Sequence, residues 1–215
     1  MTPAVPRTRR AATLLAIATA TLAVIAARTA AEDAAPTLAT RAARFPTVER
    51  ATADFVQERE VSLVDEVLHA RGTLALAAPA SFRLDLTEPE PMTLVAAGAA
   101  MTVVDAAGKA MPVPAEFTGL AAFARTLTDL LLGTRAPRGF TETWRDADTV
   151  VLTPATDTAS PFSEIMLRFR FDGPLPETIA MRERGGDRTT IRLGHVVLNP
   201  ALDPARFALP AMKGS

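Results

Sequence analysis

The chain has 215 residues, 48% hydrophobic and 22% charged, with no cysteine and two histidines. This composition excludes wholesale disorder, a polytopic membrane protein, disulfides, thiol chemistry and a histidine-rich metal site. Lysine and arginine number 23 against 24 acidic residues, a net charge of −1 that gives a nucleic acid nothing to bind.

The charge is unevenly placed. Arg7, Arg9, Arg10 and Arg28 are the only charged residues before Glu32. Three of them form a positive start, Ala11 to Ala27 is an apolar run broken only by threonines, and Thr29-Ala30-Ala31 offers a small-residue cleavage site. This order of parts predicts a secretory signal peptide over residues 1–31 and a mildly acidic mature domain over 32–215. The run is too short and too rich in alanine and threonine to suit a spanning helix. Arg9-Arg10 hints at a twin-arginine route, and either route leads out of the cytoplasm.

Thr37 to Arg44 has helix-forming composition and is stopped by Pro46. After it, period-two alternation dominates. Residues 51, 53 and 55 are apolar between polar 50, 52 and 54; Phe82 to Thr87 alternates throughout; Ile165 to Phe171 alternates with only Met166 out of step. Each stretch thus has one apolar and one wet face, the signature of antiparallel sheet solvated on one side. Asp105-Ala106-Ala107-Gly108, Asp146-Ala147-Asp148 and Gly185-Gly186-Asp187 read as hairpin turns, and Pro79, Pro89 to Pro91 and Pro174 to Pro176 as corners. The count comes to about ten to eleven short strands, near the limit at which an open sheet curls or closes. One segment differs: Leu120, Phe123, Leu127, Leu130 and Leu131 recur at helical spacing over residues 119–132, with Gly133 as a stop. The apolar face of that helix needs the apolar face of the sheet.

Chemistry-bearing motifs are scarce. No nucleophile elbow, dinucleotide fingerprint or phosphate loop occurs. His69 and His195 read as solvated strand histidines, Glu88 and Glu90 around Pro89 as turn charges, and Arg182, Glu183, Arg184, Asp187 and Arg188 as a soluble hairpin tip. No catalytic residue, metal or cofactor is expected, so the chain reads as a non-enzyme. The apolar face of the sheet remains, and periodicity alone leaves both a filled core and a ligand pocket open.

In order, Phe55-Val56-Gln57, Gly72-Thr73-Leu74-Ala75-Leu76, Pro79 to Leu84, Pro91 through Leu94-Val95 with Gly98, the helix at 119–132, Val151-Leu152-Thr153-Pro154, Ile165 to Phe171, Gly186 to Ile191 and Phe207 resemble the landmarks of the LolA-like outer-membrane lipoprotein carrier family. The resemblance spans roughly residues 45 to 210. It implies an α+β fold, an incompletely closed antiparallel β-barrel with helices covering its mouth. It further implies a periplasmic carrier that binds acyl chains of a lipoprotein or other lipid for transfer toward the outer membrane. An inner-membrane donor complex and an outer-membrane acceptor would be its partners, and a soluble monomer its expected state. By position, Phe55, Leu74, Leu76, Phe82, Leu84 and Leu86 are expected to face the lipid cavity, and Phe123, Leu127, Leu130 and Leu131 to be lid contacts. Alternation alone adds Ile165, Leu167, Phe169 and Phe171. Studied carriers of the family have an arginine directly before the strand-opening proline, where this chain has Ala78, and the chain ends soon after Phe207. The competing reading is an envelope sensor or scaffold module with the same fold and no transport. A hydrolase reading lacks a nucleophile.

Overall fold

The computed structural model describes residues 36–63, 66–98, 100–111, 128, 139–155 and 160–209. The chain divides into two units, Met1–Pro36 and Thr37–Ser215, and the elements that follow belong to the second. Helix α1 spans Leu38–Ala42. Thr37 caps it, its hydroxyl accepting from the Thr40 N–H while the Thr40 hydroxyl accepts from the Thr37 N–H. Eleven strands follow: β1 Arg50–Val61, β2 Glu66–Ala77, β3 Ser81–Glu88, β4 Met92–Ala97, β5 Ala100–Asp105, β6 Ala110–Met111, β7 Phe140–Trp144, β8 Thr149–Pro154, β9 Phe162–Phe169, β10 Pro176–Glu183 and β11 Arg188–Leu198. A 3-10 turn, Pro204–Phe207, comes last.

All eleven strands form one antiparallel sheet in the order β6-β5-β4-β3-β2-β1-β11-β10-β9-β8-β7. It is two meanders, β1 to β6 and β7 to β11, joined where the first strand pairs with the last. The sheet is not closed: β6 and β7 are its two edges.

The expected turns form. Asp105 Oδ1 accepts from the N–H groups of Ala107 and Lys109, and Gly108 takes the positive φ that the corner requires. Asp146 Oδ1 accepts from the Asp148 N–H in the β7–β8 turn, and Gly186 closes the β10–β11 turn at φ 101. At Gly72 the ladder between β2 and β3 shifts register, and the strands come close: a Cβ there would meet the Asp85 carbonyl oxygen and lie 2.9 Å from Leu86 Cα.

Direct pairing places side chains of neighbouring strands on one face, so the register defines rows. One inner row runs Ala53, Leu74, Leu84, Leu94, Val103 and Met111 from β1 to β6. Another runs Gln57, Ile191, Ile179, Leu167, Val150 and Trp144 from β1 to β7. Beside it lie Arg59, Thr189, Met181, Ile165, Leu152 and Glu142. Leu74, Leu84, Leu94, Val103, Ile179, Leu167, Val150, Met181, Ile165 and Leu152 of these rows belong to one core cluster that also takes in Leu38 and Val48, and Met111, Ile191 and Trp144 pack against it.

Alternation placed Phe171 on the inner face, but β9 ends at Phe169 and Phe171 is 75% exposed. The chain is already turning there, toward Gly173 and Pro174, and alternation has no meaning outside a strand. The signal peptide expected over 1–31 and the lid residues Phe123, Leu127, Leu130 and Leu131 lie outside the described residues, as do the helices expected over the mouth. Only Thr128 of that segment is described, helical and buried.

Candidate functional site

The inner face of the sheet carries one continuous apolar cluster among the described residues. Of the residues expected there from sequence, Phe55, Leu74, Leu76, Phe82, Leu84, Leu86, Ile165, Leu167 and Phe169 are buried and share one cluster. The structure adds Leu94, Val103, Val150, Leu152, Ile179 and Met181 to the same cluster. Val150 and Leu152 alternate with the outward Val151, but all three are apolar, so the pattern hid their face. Met92, Met101, Met111, Phe140, Trp144, Ile191 and Leu193 pack against the cluster while only partly buried.

Polar groups sit at the ends of the rows. At one end, Arg59 Nη2 lies 3.1 Å from Asp187 Oδ2 and 3.2 Å from Glu183 Oε1. Asp187 also accepts from the Ser62 N–H and hydroxyl, which ties the β10–β11 turn to the β1–β2 hairpin. These bonds, from the Ser62 backbone first and Arg59 last, hold the Asp187 carboxyl below the usual carboxylate range. At the other end, on edge strand β7, Glu142 Oε2 accepts from the Leu38 N–H at 2.8 Å, fastening the start of α1 to the inner side of the sheet.

Arg41 secures the other side of α1. It is buried, with its guanidinium 3.9 Å from the Phe169 ring centre and donating to the carbonyls of Arg170 and Gly173 at 2.8 and 2.7 Å. Burial pulls its pKa down, yet an arginine stays charged, and the carbonyls and the ring face stabilise that charge. Sequence reasoning missed this role because a helix-forming arginine carries no sign of what it reaches in space.

The histidines do not assemble. His69 faces Glu58 across the β1–β2 ladder and is exposed, whereas His195 sits in the β1–β11 bulge at φ 46 with Nδ1 2.8 Å from Asp54 Oδ2. Among the described residues no group of three or more histidines, aspartates or glutamates is placed to hold a metal.

The protein-family model described as outer membrane lipoprotein carrier protein LolA matches residues 46–210. The comparison with curated proteins finds no match. Among solved structures, a LolA superfamily protein from Nitrosomonas europaea is 13% identical, with 78% of this chain and 94% of that one covered at a TM-score of 0.45. A putative outer membrane lipoprotein-sorting protein domain from Vibrio parahaemolyticus is 9% identical, with 78% and 93% covered at 0.44. The MucA/MucB complex of Pseudomonas aeruginosa contains a chain 11% identical, with 81% and 60% covered at 0.45.

Proposed function

The chain belongs to the LolA family of outer membrane lipoprotein carriers, and from that premise we propose that it is a periplasmic lipid carrier. It is exported by the leader at 1–31, binds acyl chains of a lipoprotein or another lipid against the inner face, and passes them toward the outer membrane. The observation that carries this reading is the pair of sheet edges at β6 and β7 combined with the apolar rows that reach them at Met111 and Trp144.

The energetics suit a carrier. Each methylene removed from water gains about 0.8 kcal/mol, so a long chain enters any matched apolar site strongly. Release then requires a state of the protein, or an acceptor, with different affinity for the chain, since a ligand bound equally in two states shifts neither. The segment between Met111 and Phe140 joins the two open edges of the sheet, and the lid role of Phe123, Leu127, Leu130 and Leu131 belongs to it. The partners are an inner-membrane donor and an outer-membrane acceptor.

Dye displacement tests the reading. The mature protein is expected to take up N-phenyl-naphthylamine with a rise in fluorescence, and a synthetic diacylated lipopeptide is expected to displace it while the unacylated peptide does not. A protein that takes up no dye and binds no lipopeptide has a filled inner face, and the sensor or scaffold reading then replaces the carrier.

A further inference from the structure

Two buried side-chain nitrogens among the described residues have no hydrogen-bond partner, Arg59 Nε and Trp144 Nε1. Both belong to inner-face rows. The Arg59 guanidinium is already engaged, through Nη2, by Asp187 and Glu183. Trp144 has no such engagement. Its indole packs against the core cluster at the last residue of edge strand β7, opposite Val150. An indole N–H can only donate, and buried tryptophans ordinarily find an acceptor because an unmade bond forfeits the solvation lost on burial.

We infer that the Trp144 N–H is the donor to the carbonyl oxygen that heads a bound acyl chain. This rests on the lipid-binding reading of the inner face and deepens it. A hydrocarbon tail has no acceptor to offer, whereas an ester or amide carbonyl has. Trp144 heads the row Val150, Leu167, Ile179 and Ile191, which crosses four strand spacings from β7 to β11, about 19 Å along the sheet. Glu142 shares the face two residues away, about 7 Å along the strand. Its carboxylate opposes a second negative charge close by. The ligand class is therefore an esterified or amidated acyl chain, with the free fatty acid disfavoured.

Trp144 is the one tryptophan of the chain and there is no tyrosine, so its own emission and its single indole N–H resonance report on the site. The test compares monoolein with oleyl glyceryl ether, which keeps chain and headgroup but lacks the carbonyl, and includes N-oleoylethanolamine and free oleate. The wild type is expected to bind monoolein about three- to tenfold tighter than the ether, the worth of one hydrogen bond. The indole N–H resonance is expected to move downfield with monoolein and N-oleoylethanolamine, which carry the carbonyl, and to stay in place with the ether. Trp144→Phe is expected to bind the ether as the wild type does and to lose the ester preference. A preference for N-oleoylethanolamine over monoolein would identify the carbonyl as an amide, and the reverse as an ester. Oleate is expected to bind more weakly than either. Wild type that binds ester and ether equally, with an unmoved indole resonance, overturns this inference alone. Wild type that binds no lipid overturns the lipid-binding reading and this inference with it.

Discussion

Asp85 shows how single residues fix the outer side of the sheet. Arg83 grips its carboxylate with two bonds of 2.8 and 2.7 Å, the Thr93 hydroxyl donates at 2.7 Å, and Arg206 from the C-terminal turn approaches to 3.8 Å. Burial pushes this carboxyl up, but the Arg83 and Thr93 bonds outweigh it and its pKa falls below the ordinary value. The folded pKa is thus lower than the unfolded one. The stabilisation is complete above the unfolded value, about 3.9, and is lost as the pH falls through the lower folded value. Asp85→Asn is expected to unfold about 1 kcal/mol more easily at pH 7, a figure held down by the partly solvated site, with the gap to wild type closing in strongly acidic solution. Denaturant titrations at pH 7 and pH 2 check this, and a gap that persists at the lower pH would contradict it. None of these bonds was legible beforehand, since Arg83 and Asp85 read only as the wet half of an alternating strand. The same holds at the inner edge. Phe140, Glu142 and Trp144 alternate with two threonines, but a tryptophan and a glutamate on one face carry no sign in sequence of which face is buried.

At the scale of elements, the strands were the legible part. Alternation in β1, β3 and β9 assigned inner faces that the register confirms up to Phe169. It failed where a local event redirects the chain. Phe171 lies past the end of β9, and the bulge at His195 slips β11 against β1 between Thr52 and Asp54. Bulges depend on a partner strand far away in sequence, so a single strand cannot announce them. Gly72 is a case where sequence marked the position and the structure supplies the cause. Its lack of a side chain lets β2 approach the Asp85–Leu86 backbone of β3. Gly72→Ala is expected to cost about 2 kcal/mol, because backbone rather than a flexible side chain must give way. Thermal unfolding of that variant checks the claim, and an unchanged Tm would mean that the two strands part without loss.

At the scale of the molecule, the decisive feature is the β1–β11 seam, which turns two meanders into one eleven-stranded sheet and leaves β6 and β7 as edges. This pairing joins Phe55 to Leu193, and nothing local in either strand specifies it. The resemblance to a family of half-open barrels supplied the expectation of a pocket, while composition and periodicity leaned toward a filled core. The proposed role requires that the inner face carries acylated lipid. Mass spectrometry of the mature protein, purified without detergent from the periplasmic fraction of its native host, tests it most directly. An ester- or amide-linked acyl lipid is expected to co-purify in near-stoichiometric amount, its headgroup identifying the cargo. A lipid-free protein that also refuses a hydrophobic dye would contradict it.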